Sequence, residues 1–247
     1  MFPFFRLGPF LLQLPGLALL GGLWLGLSQA EREAARLKLD PAAIYNLIFY
    51  GLIAGVAGAR LAYAARYWSI YLANPFSLLA LTPATLCPDA GLATGMAVAV
   101  YFGWRRHLPL RPTLDALAPG LAIFLVAFGI AHFLSGDAFG APAKLPWSIY
   151  LWDDYRHPSQ VYETLAGLLV FVVARGRPLK QPGAGLNFVL VVALSAAARV
   201  FLEAFRGDSV IWAGGLRAAQ VSGLLVLAAA LWRLKTWGRP TAPAGEA

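Results

Sequence analysis

The chain has 247 residues, of which 59% are hydrophobic and only 13% charged, with a mean hydropathy of +0.64 and a formal net charge of +8. Soluble domains carry roughly 25% charged residues, so this composition excludes an ordinary soluble domain and indicates a polytopic α-helical membrane protein. The excess of Lys and Arg is read as topology-setting charge, because no basic patch with interleaved aromatics points to nucleic acid.

The apolar runs are continuous and helix-length, unlike the short alternating segments of a membrane β-barrel. Seven spans are predicted, at 9–29, 42–65, 88–104, 114–134, 159–175, 186–203 and 216–234. Each approaches the roughly 20 residues that a bilayer core requires. The first begins after Arg6 and resembles a signal peptide ending at Ser28-Gln29-Ala30. Its apolar stretch exceeds the usual 7–15 residues, so a retained span is expected. The second carries Gly51, Gly55 and Ala59 at four-residue spacing, a pattern that permits close helix approach. Pro83, Pro88 and Gly91 interrupt the third, which is expected to open with a broken turn.

Basic residues alternate between loops. Arg32, Arg36 and Lys38 precede span two, Arg105, Arg106 and Arg111 follow span three, Arg175, Arg177 and Lys180 follow span five, and Arg233, Lys235 and Arg239 follow span seven. The positive-inside rule then puts the N-terminus outside and the C-terminus in the cytoplasm. The longest outer loop, 135–158, contains Trp147, Trp152, Asp153, Asp154 and Tyr155. One transmembrane domain is expected over 1–236, followed by a short disordered cytoplasmic tail at 237–247.

Cysteine and histidine limit the chemistry. Cys87 stands alone, which rules out an internal disulfide or a cysteine-based cluster. His107, His132 and His157 lack metal-ligand spacing, so neither a metal nor another cofactor is expected.

Two charged clusters interrupt the apolar background. Arg199, Glu203 and Arg206 lie at offsets of four and seven, on one face of span six, and Ser195 extends that stripe. The pattern suits either an internal ion pair or a cationic phosphate site, since a planar guanidinium donates two hydrogen bonds at once. The segment Arg156-His157-Pro158-Ser159-Gln160-Val161-Tyr162-Glu163 opens span five on the same side of the membrane. Gln160 and Glu163 share a face, and either packing or binding would suit them. Arg60 is deep in span two and must meet a partner: Glu163, Glu203 or a lipid phosphate. His132 ends span four, where it would serve as a cap or as a proton acceptor. Asp89 is expected as an N-cap or turn residue.

The octapeptide at 156–163 resembles the signature of the prolipoprotein diacylglyceryl transferase family. Arg199-Val-Phe-Leu-Glu203-Ala-Phe-Arg206 and Gly58-Ala59-Arg60-Leu61-Ala62-Tyr63 are similar to two further segments of that family. The resemblance implies seven spans in the bacterial inner membrane. It also implies transfer of diacylglyceryl from phosphatidylglycerol to the lipobox cysteine thiol of a prolipoprotein signal peptide. Two departures stand out. Asp89 occupies the family's histidine position, and Gly129 that of an arginine assigned to lipid phosphate. His132 and Asp137 replace an asparagine and a glutamate. The site expected from the resemblance has His132 and Arg199 as catalytic residues, with Arg60, Arg156, Gln160, Glu163, Glu203, Arg206 and Asp137 binding substrate. The alternative is a non-catalytic relative that binds lipid or signal peptide.

Overall fold

In the computed structural model, residues 3–8, 10–79, 85–176, 183–212 and 214–238 are described. They form two compact units, Leu39–Leu110 and the combination of Met1–Lys38 with Arg111–Ala247.

The smaller unit is a helical hairpin. Helix α2, Pro41–Arg66, starts with Pro at its first position and an Asp40 carboxylate that accepts the Ala42 N–H at 3.0 Å, which satisfies one of the orphan donors of a helix start. A short helix α3, Trp68–Ala73, and a 3₁₀ turn, Pro75–Leu79, lead towards α4, Pro88–Arg105. Helices α2 and α4 pack through glycines, using the close approach that the spacing of Gly51 and Gly55 permits. A Cβ on Gly95 would stand 2.7 Å from the Gly51 carbonyl oxygen, and one on Gly91 would stand 2.9 Å from that of Gly55. Lipid tails give no hydrophobic drive between helices, so such backbone approach supplies the association instead. Asp89 is in the first turn of α4 but is not its cap; the cap position is Cys87, whose N–H donates to the Ala59 carbonyl at 3.0 Å.

The larger unit opens with a β-hairpin, β1 (Phe4–Leu7) paired antiparallel with β2 (Phe10–Gln13). This corrects the expected start of the first span: the helix α1 runs Leu14–Arg36 and includes Arg32 and Arg36, which were expected in a loop. Gly8, at φ 61°, gives the chain a left-handed turn at little steric cost. Pro9 lies outside the described residues. Helices α5 (Leu110–Ser135), α6 (Ser159–Gly176), α7 (Leu186–Leu202) and α8 (Ala218–Trp237) follow, with a two-stranded hairpin, β3 (Ile149–Leu151) and β4 (Asp154–Arg156), inside the α5–α6 connection.

Small residues set the packing of this unit. Helices α1 and α5 cross where a Cβ on Gly26 would stand 2.8 Å from the Gly120 oxygen. Ala118, Ala122, Val170, Ala174 and Val191 form a core between α5, α6 and α7, while Val189, Ala193 and Ala230 join α7 to α8. The buried Asp115 caps α7: its carboxylate accepts the N–H groups of Gly185, Asn187 and Phe188 at 2.9, 2.9 and 3.1 Å. Trp237, expected in the tail, is instead the last residue of α8, where the Arg111 guanidinium lies 4.8 Å from its ring. Residues 239–247, and Pro83, Arg177 and Lys180, lie outside the described residues.

Four described helices are long and apolar enough to cross a membrane: Pro41–Arg66, Leu110–Ser135, Leu186–Phe205 and Ala218–Trp237. Large apolar side chains are exposed along them and their neighbours, among them Leu61, Leu92, Leu169 and Leu225. In water such surface would drive association; against lipid it is matched. The protein is a multi-pass helical membrane protein.

Candidate active site

At one end of the larger unit, the C-terminal end of α5, the start of α6 and the end of α7 converge. The connection after α5 is laced to both neighbours. The Ala141 N–H donates to the Phe205 carbonyl at 2.8 Å, Gly207 to Phe139 at 2.9 Å, and His157 to Ala141 at 3.0 Å. Glycine is required where these strands touch, because a Cβ on Gly207 would stand 2.7 Å from the Gly140 oxygen. The sequence expectation treated 135–158 as a loop; its backbone is in fact fixed from two sides.

Glu163 is the hub. Its side chain is largely buried, one turn into α6, and one carboxylate oxygen, Oε2, lies 2.9 Å from His132 Nδ1. The other, Oε1, accepts from Arg206 Nη1 at 2.6 Å and from Arg199 Nη1 at 3.3 Å. A carboxylate in a membrane helix is tolerated when cations and donors surround it in this way. Arg199 Nη2 also stands 3.1 Å from Glu203 Oε2. That is a close ionic approach without the alignment of a hydrogen bond, so this buried oxygen has no hydrogen-bond donor among the described residues. The expected Arg199–Glu203 pair therefore exists, but Glu163 takes the better-aligned contacts.

The remaining expected residues divide. Arg206 is close to the hub, but its fork is filled by Asp208, with Nε to Oδ1 at 2.9 Å and Nη2 to Oδ2 at 2.7 Å. Burial works to lower the Arg206 pKa, yet the Asp208 hydrogen bond and the Glu163 charge outweigh it and the pKa is raised. Arg156 spends Nε on the Leu151 carbonyl at 3.0 Å and Nη1 on that of Gly140 at 3.3 Å, and lies over the Phe139 ring. Gln160 is fully buried and donates to the Asp137 carbonyl at 2.9 Å. The Asp137 side chain is itself exposed, with no contact to the hub among the described residues. Arg60, in the smaller unit, is buried against neutral oxygens: the carbonyls of Leu78 at 3.1 Å and Thr85 at 3.0 Å, with the Ser77 carbonyl and Thr85 hydroxyl also bonded. Tyr71 packs on its guanidinium at 5.4 Å. Carbonyl dipoles meet this cation where Glu163, Glu203 or a lipid phosphate was expected, and Tyr63 meets Tyr67 at a tilt and Tyr71 edge-on beside it.

Two residues escaped the sequence reading. Asp208 follows Arg206 by two positions, and that spacing was the available signal. Arg217 precedes α8 and gathers the segment after α7, donating to the Arg206 carbonyl at 3.0 Å, the Ser209 hydroxyl at 2.9 Å and the Glu203 carbonyl. Nothing in its sequence neighbourhood indicates that role.

An apolar groove of about 210 Å³ leads away from the hub. Leu125, Phe128, Gly129, Gly167 and Val170 line it, and Glu163, Ser195 and Arg199 supply its polar groups. Arg199 is the most accessible cation of the cluster, with 41% of its side chain exposed against 10% for Arg206. Gly129 bears directly on the α5–α6 contact: a Cβ there would stand 2.8 Å from the Thr164 nitrogen. The position is closed to a longer side chain because α6 occupies the space.

The profile of prolipoprotein diacylglyceryl transferases matches residues 3–236. A protein of Streptococcus agalactiae called phosphatidylglycerol–prolipoprotein diacylglyceryl transferase is 30% identical over 236 residues, covering 90% of each chain. A namesake from Synechococcus elongatus is 29% identical over 239 residues, covering 90% of this chain and 82% of its own. The match runs from the N-terminal hairpin to the last turn of α8 and takes in every residue of the Glu163 hub, so the chain belongs to the prolipoprotein diacylglyceryl transferase family.

Proposed function

We propose that the protein transfers the diacylglyceryl group of phosphatidylglycerol to the lipobox cysteine thiol of a prolipoprotein signal peptide. The observation that carries this reading is the 2.9 Å contact of His132 Nδ1 with Glu163 Oε2, a carboxylate that also accepts from Arg199 at 3.3 Å and lines the apolar groove with it. With Nδ1–H donated to the carboxylate, Nε2 is left as a base, the arrangement that activates weak nucleophiles in general. A thiol is mostly protonated at neutral pH. His132 Nε2 takes its proton, sulfur forms a bond to the glyceryl carbon, and the carbon–oxygen bond to phosphate breaks. The departing glycerol phosphate carries the negative charge, and Arg199 is the cation best exposed to stabilise it. Arg206, Glu203 and Glu163 hold Arg199 and His132 in position. Arg156, Gln160 and Asp137 order the connection beside them, and Arg60 orders the segment after α3.

The same reading takes the chain as seven spans of one domain in the bacterial inner membrane, with the N-terminus outside and a short cytoplasmic tail beyond α8. Span order, the basic residues and the charged hub on one end support it.

A second reading rests on Gly129 and Asp89, which stand where the family carries an arginine and a histidine. It is a non-catalytic relative that binds lipid or signal peptide. The test is transfer of labelled diacylglyceryl from phosphatidylglycerol to a lipobox peptide by the purified protein, beside lipid binding by the same sample. Turnover supports the transferase. Lipid binding without turnover overturns it in favour of the binding protein.

A further inference from the structure

A second cavity, polar and of about 280 Å³, is at the opposite end of the larger unit, where the last turns of α1 and α6 meet α5 at Pro119 and the start of α7. It takes no part in the chemistry above. Gln29, Arg32, Glu33, Arg36, Arg175 and Asn187 line it. Three guanidiniums face one carboxylate, an excess of two positive charges.

The charges are unequally engaged. Arg36 is bound to Glu33, with Nε at 2.8 Å and Nη2 at 2.5 Å from its oxygens. Arg175 donates Nη1 to the neutral Gln29 Oε1 at 2.5 Å, which fixes the guanidinium without neutralising it. Arg32 has no hydrogen bond or ion pair among the described residues. At the back of the cavity Asn187 is 2% exposed, and its Oδ1 has no hydrogen-bond partner among the described residues. A buried amide left unpartnered is costly. Its backbone N–H is already used by Asp115, which also caps the α7 N-terminus, and the residue lines the cavity. Lysine and arginine placed only to set topology need no buried polar wall behind them.

We infer that this cavity binds a phosphate group, carried by an anionic lipid headgroup or present as free phosphate. Arg32 and Arg175 supply forked donors. Asn187 accepts from a phosphate hydroxyl through Oδ1, or donates to a phosphate oxygen after its amide turns over. The site is independent of the transferase reading.

The test uses the full chain in two arms. Inorganic phosphate is titrated calorimetrically into protein held in phosphatidylcholine nanodiscs. Phosphatidic acid is titrated into protein in neutral detergent and counted by native mass spectrometry. The wild type should bind one equivalent that the Arg32→Gln, Arg175→Gln double variant binds about tenfold more weakly or not at all, as loss of charged hydrogen bonds implies. Asn187→Leu, which keeps every charge, should weaken the same equivalent. Binding in the lipid arm alone assigns a headgroup site, binding in the phosphate arm alone a free-phosphate site, and binding in both a site that reads phosphate itself. Absence of saturable binding in both arms overturns the inference. So does an equal loss in an Arg233→Gln, Lys235→Gln control, which would reduce the effect to surface charge. Wild-type affinity in Asn187→Leu overturns the built site.

Discussion

His132 and Glu163 come from different helices, 31 positions apart, yet His132 Nδ1 stands 2.9 Å from Glu163 Oε2. The contact orients the ring and leaves Nε2 without a partner among the described residues. Phe128 packs on the same imidazole at a ring separation of 4.3 Å. Replacing His132 by Gln should therefore lower transfer to a lipobox peptide by about 10²–10⁴-fold, the usual contribution of a positioned base, while phosphatidylglycerol binding persists. Transfer at the wild-type rate would remove His132 from the chemistry and leave the family assignment standing.

Glu163 serves three cationic or donor partners, so its loss should be felt first in the fold. Glu163→Ala leaves Arg199 and Arg206 short of their common carboxylate, and removal of one partner of a buried pair costs about 3–5 kcal/mol. Thermal unfolding in detergent should drop accordingly, and further than for Glu203→Ala. Equal stability of the two variants would show that the hub is not centred on Glu163.

Arg199 and Glu203 are coupled through a close ionic approach at 3.1 Å. Their alanine variants should be non-additive, with a coupling of about 0.5–3 kcal/mol in a double-mutant cycle. Strictly additive effects would mean that Arg199 is held by Glu163 alone. Arg199→Lys should reduce transfer nearly as much as Arg199→Ala, because lysine keeps the charge but loses the two-pronged donor geometry. Full activity in the lysine variant would reduce the role of Arg199 to charge.

Gly129 is fixed by its neighbour. A Cβ at this position would stand 2.6 Å from Thr164 Oγ1 and 3.0 Å from Thr164 Cα. Gly129→Ala should cost about 1–3 kcal/mol through overpacking, read as a lower unfolding temperature. Gly129→Arg should fail to accumulate in membranes and should rescue nothing. A stable, abundant Gly129→Arg protein would show that α5 and α6 separate readily.

Topology can be read with reporter fusions at residues 109, 178 and 240, all of which should report the cytoplasm. An outside reading at 178 would break the seven-span order.

The composition alone determined that this is a helical membrane protein, because so apolar a chain has too little charge to cover itself in water. Described helices overlap each of the expected segments, and four of them are long and apolar enough to cross a membrane. Periodicity also determined which face of α2 permits close approach, since glycines spaced by four line one side of a helix, and it put Arg199 and Glu203 one turn apart, whereas Arg206 lies beyond the 3₁₀ turn that ends α7, on extended backbone. What the sequence could not hold is any relation between helices. The N-terminal hairpin was hidden because its residues are as apolar as a span. Asp115 reads as a charge near a helix start, and only packing shows that it caps a different helix 70 positions on. The meeting of His132 with Glu163, and the diversion of Arg60 and Arg156 to carbonyl oxygens, follow from which backbone happens to lie within reach of a long side chain. That is decided by tertiary packing, where small residues let helices approach and so choose the partners of the few charges among them.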